Sequence, residues 1–304
     1  MDAAAGPTTG QLPSRVPGGR YYFERIRDLM NSSGPIGLIG GGNMAEAFIK
    51  GLQKGGFPAA ELIVSEPLEA RREFLAERYN VNAVEENTEV VRRCDTILLA
   101  FKPQILDDVL SEIQAVFSEN KLLISILAGV STTTLEKYFE GSPRIIRAMP
   151  NTPALVGEAA TGICRGKFAT RQDQQLARKL FETVGIVQMV HESQMDAVTG
   201  LSGSGPGFIF TVIEAMADGG VQEGLRKDVA LALAVQTVLG AAHLAKETGE
   251  HPALLRDMVC SPGGTTISAM RVLEERGLRS TLMEAVSQAT RRSRELGQGK
   301  KTTD

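Results

Sequence analysis

The stretch from Pro35 to Gly56, PIGLIGGGNMAEAFIKGLQKGG, limits what this chain can fold into more than any other part of it. A short apolar run, Ile36 to Ile39, meets Gly40, Gly41 and Gly42, after which Met44, Ala45, Phe48, Ile49 and Leu52 recur at the spacing of one helix face. That pattern predicts a strand, a tight turn and a helix. Gly40, Gly42 and Ala45 match G-x-G-x-x-A: the first glycine allows the turn, the second lets backbone approach a pyrophosphate, and the small third residue lets helix pack on strand. The amino terminus of such a helix offers unpaired N–H groups and a positive dipole end to phosphate.

The fingerprint alone also fits a glycine-rich turn in any α/β protein, and its surroundings decide between the two. The next strand, ELIVSE, ends in Glu66, near the place where an acidic side chain of this fold meets the adenosine ribose. Further α/β units follow: a helix from Leu68 to Tyr79, a strand TILLAF, a helix from Gln104 to Phe117, then strands LLISIL and RIIRAM. Alternation of this kind predicts a parallel, doubly wound sheet of Rossmann type binding a dinucleotide. Glu66 suits the free ribose of NADH, whereas Ser65, Arg71 and Arg72 suit the extra phosphate of NADPH, so both cofactors stay open. Ligands of open α/β sheets lie beyond the carboxyl ends of strands, which brings in two loops, AFKP (Ala100, Phe101, Lys102, Pro103) and LAGV (Leu127, Ala128, Gly129, Val130).

With 304 residues, the chain exceeds what one hydrophobic core usually holds, and two domains are expected after a flexible extension over 1–33: a Rossmann domain over 34–192 and an all-α oligomerisation domain over 193–304. A formal net charge of -3 gives no basic excess for nucleic acid. The three cysteines, Cys94, Cys164 and Cys260, lack the spacing of a zinc site or a disulfide framework, which argues against a metal and for a reducing compartment such as the cytoplasm. No apolar run approaches the roughly 18 residues of a spanning helix, even KLLISILAGV being short and running into a glycine, so no membrane partner is expected. The first 33 residues carry Asp2, Glu24 and Asp28, unlike an acid-poor transit peptide; organelle import remains the alternative.

Beyond RAMPNTPALVGEAATGICRG the pattern changes. A helix from Arg171 to Val184 and a strand GIVQMV lead into helical spacing over Phe208–Ala217, Lys227–Thr248, Ala253–Val259, Thr266–Glu275 and Thr281–Leu296. LALAVQTVLGAAHLA is apolar around most of its circumference and calls for cover from a second copy, an intertwined dimer or higher oligomer. DAVTGLSGSGP lacks the lysine of a P-loop. Either it is a compact turn presenting Thr199, Ser202 and Ser204, or Ser204 caps the next helix ahead of Pro206. SPGGTT, Ser261 to Thr266, interrupts the helices with a turn whose N–H groups converge on an anion-sized space, or else caps the helix that follows.

Taken in order, GGGNMA, AFKP, RAMPNTP, DAVTGLSGSGP and SPGGTT resemble the pyrroline-5-carboxylate reductase family, over about Pro35 to Leu296. The resemblance implies hydride transfer from NADPH or NADH to a cyclic imine, 1-pyrroline-5-carboxylate, giving L-proline in the last step of proline synthesis. It implies a homo-oligomer with interleaved carboxyl-terminal helices, a dimer or a decameric ring of dimers. It places the cofactor against Gly40, Gly41, Gly42, Asn43, Met44, Ala45, Ser65, Glu66, Asn87, Ala100 to Pro103, Leu127 to Gly129 and Asn151. The substrate carboxylate falls on Ser261, Gly263, Gly264, Thr265 and Thr266, reached from the second subunit, and Thr199 and Thr266 act in catalysis, Thr199 at the imine nitrogen.

The chemistry agrees with one absence. Reducing a ketone requires a proton for the alkoxide, whereas an imine can be protonated before hydride arrives, and between Met195 and Arg226 there is neither Lys nor His. That absence also argues against a hydroxyacid or phosphogluconate-type dehydrogenase, which needs a lysine after the second glycine loop. A redox sensor, binding a dinucleotide without turnover, is the non-enzymatic alternative.

Overall fold

The computed structural model describes residues 34–298, so the extension over 1–33 lies outside the described residues. In chain order the elements are β1 (Ile36–Ile39), α1 (Asn43–Lys54), β2 (Leu62–Ser65), α2 (Glu69–Tyr79), β3 (Asn82–Val84), α3 (Asn87–Arg93), β4 (Thr96–Leu99), α4 (Leu106–Ile113), β5 (Leu122–Ser125), α5 (Thr132–Glu136) and β6 (Arg144–Met149). There follow β7 (Ala159–Arg165), α6 (Arg171–Glu182), β8 (Gly185–Met189), α7 (Met195–Val198), a π turn (Thr199–Gly203), α8 (Gly205–Gln222), α9 (Lys227–Thr248), α10 (Pro252–Val259), α11 (Thr265–Glu275) and α12 (Leu278–Gly297).

The strands form one eight-stranded sheet in the order β3-β2-β1-β4-β5-β6-β7-β8. Strand order reverses between β1 and β4, and their carboxyl ends open the crevice where ligands of such sheets bind. The buried strands split their side chains by the two-residue period. Leu38, Leu62, Val64, Leu98 and Ile124 join one core with Phe48, Ile49 and Leu52 of α1, while Ile39, Ile63, Ile97, Leu99 and Leu123 join a second with Val90, Val109, Leu110 and Ile113. Each side chain of this size contributes about 1.5–3 kcal/mol when fully buried. With helices on both faces, every residue of β1, β2, β4 and β5 is enclosed, which is why those strands read as continuous apolar runs.

Two expectations need correction here. The sheet is not wholly parallel, because β7 runs antiparallel to β6. Strand β7 was not read from the sequence since Gly162 interrupts its apolar run. A methyl group at Gly162 would stand 2.8 Å from Val198 Cγ1, so glycine is what lets α7 lie against this strand. Residues 195–222 form one helical run through α7, the π turn and α8, where the sequence predicted a loop before Phe208.

By contacts the described chain divides into two units, one of residues 34–211 with 277–298 and one of Val212–Arg276. That division differs from the sequence boundary between 192 and 193, because α12 packs on the π turn: a methyl group at Gly200 would meet Thr290 Oγ1 at 2.2 Å. In the smaller unit, α9 buries only Ala230 and Ala234 while Leu233 stays 55% exposed. This helix is also long and apolar enough to cross a membrane, with mean hydropathy 1.5, contrary to the sequence expectation. Gln236 and His243 interrupt its apolar run, but the Ala, Val and Leu residues around them keep its average hydropathy high.

Candidate active site

The glycine turn after β1 is built by two close approaches. Gly40 has φ +98°, a region that L side chains rarely enter, and its N–H donates to Ser65 O at 2.9 Å. A methyl group there would stand 2.8 Å from the carbonyl oxygen of Ala100, so the first glycine joins the ends of β1 and β4. At Gly42 a methyl group would meet nothing within 4 Å, and no side chain caps α1 behind it. The bare N–H groups of the first turn, Asn43 and Met44 among them, thus face an open cradle that fits a pyrophosphate. Ala45 is fully buried and packs α1 on the sheet.

At the ribose end, Glu66 turns its carboxylate inward and accepts the N–H of Gly41 at 3.0 Å and of Leu68 at 3.1 Å. Both arginines singled out for a phosphate have other partners. Arg71 donates to Gly41 O and to Glu46, and Arg72 donates to the carbonyls of Glu66 and Pro67. Burial raises the Glu46 pKa, but hydrogen bonds from Tyr79 and Arg71 outweigh it and hold this carboxyl below its ordinary value. Ser65 is fully enclosed, and its hydroxyl donates to Asn87 Oδ1 at 2.7 Å, so it serves a ligand by orienting Asn87 rather than by touching one. Asn87 in turn donates to Glu112 at 2.6 Å. A carboxylate and no uncommitted arginine at this end disfavour a 2′-phosphate. Glu66→Gln removes the charge and keeps one of the two acceptor bonds, since the amide has a single oxygen, so the NADPH/NADH ratio of kcat/KM is expected to rise roughly fivefold to twentyfold. An unchanged ratio would show that Glu66 plays no part in cofactor choice.

The loops beyond β4 and β5 complete this wall. Phe101 and Pro103 are half-buried and Lys102 is exposed. Leu127 is buried, and its N–H donates to Ser125 Oγ, while Gly129 lies against the end of α12. An ionic network around a buried arginine, which the sequence reading missed, lies next to the second loop. Arg147, 5% exposed on β6, meets Glu192 at 3.3 Å and Asp196 at 3.8 Å. Glu192 also accepts the N–H of Thr132 at 2.8 Å and its hydroxyl. The signal was an arginine in the middle of the apolar strand RIIRAM, a position that demands a partner.

The π turn explains DAVTGLSGSGP. Pro206 has no N–H to give the carbonyl four residues before it, that of Ser202, and Asn151 Nδ2 takes that place at 2.9 Å. The other end of the Asn151 amide accepts the N–H of Ala160. Asn151, expected at the cofactor, is therefore buried and fastens the turn to the sheet. Ser204 caps no helix, since its backbone is helical and its N–H donates to Thr199 O. Thr199 donates its hydroxyl proton to Met195 O at 3.0 Å, leaving the oxygen as an acceptor.

In the smaller unit, Gly263 has φ +67° and the N–H of Gly264 donates to Ser261 O, closing the SPGGTT turn. Gly264 then stands as the N-cap of α11 with no side chain capping it. The hydroxyls of Ser261, Thr265 and Thr266 do not take that role, so the first N–H groups of α11 stay open. His251 instead caps α10 by accepting the N–H of Ala253. Cys94 and Cys164 are buried free thiols pushed up to about 12, mainly by burial, and Cys260 is also free. Among the described residues no cluster of His, Cys, Asp or Glu fits a metal.

A family model described as "Pyrroline-5-carboxylate reductase dimerisation" matches residues 192–296, and one described as "NADP oxidoreductase coenzyme F420-dependent" matches residues 35–129. A pyrroline-5-carboxylate reductase of Methanosarcina acetivorans is 49% identical over 263 residues, 86% of this chain and 97% of the relative. One from Arabidopsis thaliana is 44% identical over 264 residues, 86% of this chain and 95% of the relative. Among solved structures, a pyrroline-5-carboxylate reductase from Coxiella burnetii superposes with TM-score 0.83 at 38% identity, covering 88% of this chain and 99% of that one. The enzyme of Plasmodium falciparum with NADP bound gives 0.79 at 32% identity, covering 87% and 98%.

Proposed function

We propose residue roles from one premise: this chain belongs to the pyrroline-5-carboxylate reductase family. It is an NAD(P)H-dependent oxidoreductase that reduces 1-pyrroline-5-carboxylate to L-proline. When bound, the reduced nicotinamide supplies the hydride. The bare amino terminus of α1 holds the pyrophosphate, Glu66 and Asn87 meet the adenosine ribose, and the loops at Ala100 to Pro103 and Leu127 to Gly129 receive the nicotinamide half. Ser65 acts behind Asn87, and Asn151 behind the turn that carries Thr199.

The observation that carries the substrate reading is the uncapped start of α11. Open N–H groups and the helix dipole there suit the carboxylate of the imine, with the hydroxyls of Thr265 and Thr266 beside them. Thr199 takes the ring nitrogen. Because its own proton is committed to Met195 O, its oxygen accepts, and an acceptor favours the protonated imine. The nitrogen then carries its proton before hydride adds to the adjacent carbon, the C=N π pair becomes the nitrogen lone pair, and no further acid is needed. Holding the ring in place is the main service of the protein. The exposed apolar face of α9 serves a homo-oligomer, with the α11 turn supplied by a second protomer. Free, buried thiols suit the cytoplasm.

Thr199→Ala and Thr266→Ala are each expected to lower kcat/KM for the imine by roughly 10- to 100-fold, the worth of one hydrogen bond to a charged group, with NADPH affinity within about twofold of the parent. Steady-state kinetics with NADPH fluorescence titration checks both. Equal weakening of cofactor and imine would remove these residues from the substrate site.

A further inference from the structure

The helix α12 touches both halves of the reaction centre on one face. Gly297, at its end, lies against the cofactor loop: a methyl group on it would stand 2.4 Å from the carbonyl oxygen of Gly129, with no side chain there to yield. Ser293 is buried and donates its hydroxyl to Asp196 Oδ1 at 2.7 Å, in α7 just before Thr199. Thr290 and the carbonyl of Val286 press on Gly200, just after Thr199, where a methyl group would meet backbone atoms at 2.7 and 2.9 Å. Positions 290, 293 and 297 follow the i, i+3, i+7 spacing of one helix stripe. Seven residues of helix span roughly 10 Å, and a helix this long resists a change in that length.

Asp196 also connects the stripe to the sheet, since it faces Arg147, whose other partner, Glu192, holds Thr132 at the exit of the cofactor loop. Loop, helix, turn and strand thus close a ring, and every member belongs to the same structural unit.

We propose that α12 is the spacer that sets the separation between the nicotinamide loop Leu127 to Gly129 and the turn bearing Thr199, with Gly297, Ser293 and Thr290 as positioning residues that touch neither substrate nor cofactor. The proposal rests on the roles given above to that loop and to Thr199. Its physical content is that hydride transfer depends on donor–acceptor distance, so that a misplacement near 1 Å costs up to about 100-fold in rate.

The test is Ser293→Ala and Gly297→Ala in the full-length enzyme, assayed with NADPH and with NADPH deuterated at the transferred position. Both variants are expected to lose about 10- to 100-fold in kcat and to show a larger primary deuterium isotope effect than the parent, with Kd for NADPH changed less than about threefold. Ser293→Ala removes only a hydroxyl and keeps the test valid should Gly297→Ala not fold. A helix that merely stabilises the fold would lower Tm while leaving kcat and the isotope effect at parental values, and that result overturns the proposal. Failure of the substrate reading is distinguishable, because it appears as active Thr199→Ala and Thr266→Ala enzymes whatever α12 does.

Discussion

Gly40→Ala is expected to abolish dinucleotide binding and to lower Tm by roughly 5–15 °C. Two penalties add. A left-handed φ of +98° costs a residue with a Cβ about 1–2 kcal/mol, and the new methyl group would press on the Ala100 carbonyl oxygen at 2.8 Å and the Phe101 nitrogen at 3.1 Å. Neither contact is a side chain that can rotate away, so the ends of β1 and β4 must separate, at about 1–3 kcal/mol more. Gly42→Ala is the informative contrast. Its methyl group would meet no protein atom within 4 Å, so Tm should stay within about 2 °C, yet the group would project into the pyrophosphate cradle and raise Kd for NADPH at least about tenfold. Calorimetry and fluorescence titration separate the two variants, and full affinity in Gly42→Ala would place the phosphates elsewhere.

Mixing the two crippled enzymes should restore activity. If Thr199 and the α11 turn of one catalytic centre come from different protomers, a hybrid of Thr199→Ala with Thr266→Ala contains one centre with both defects and one with neither. Random reassortment by twofold pairing then returns about a quarter of parental activity from parents that each hold about 1–10% of it. Reassortment is done by denaturation and refolding or by co-expression, so that it does not depend on spontaneous exchange of protomers. Recovery no greater than the average of the two parents would assign both residues to the same protomer.

Several local features were legible because glycine and proline act locally. GGGNMA specifies a turn that only glycine tolerates, and SPGGTT marks a turn between helices, although only the structure shows that its hydroxyls leave the next helix uncapped. Long apolar periods placed Lys227–Thr248 to the residue. The short elements were not legible. Strand β3 and helix α3 together hold few buried side chains, and β7 carries glycine where α7 crosses it. The roles of Ser65 and Asn151 changed for the same reason: a hydroxyl or amide in a loop looks identical in sequence whether it meets a ligand or a carbonyl.

Sequence by itself determined the class of fold and the dinucleotide turn, which depend on residue types close to one another, and the resemblance of five motifs to the family implied an imine reductase; whether SPGGTT caps its helix or leaves it open stayed undecided. Only tertiary structure decided that Glu66 grips the glycine loop, that Asn151 supplies the bond Pro206 cannot, and that α12 reaches both Gly129 and Gly200. Those contacts join residues far apart in the chain, and a distance set by packing leaves no spacing in the sequence to read.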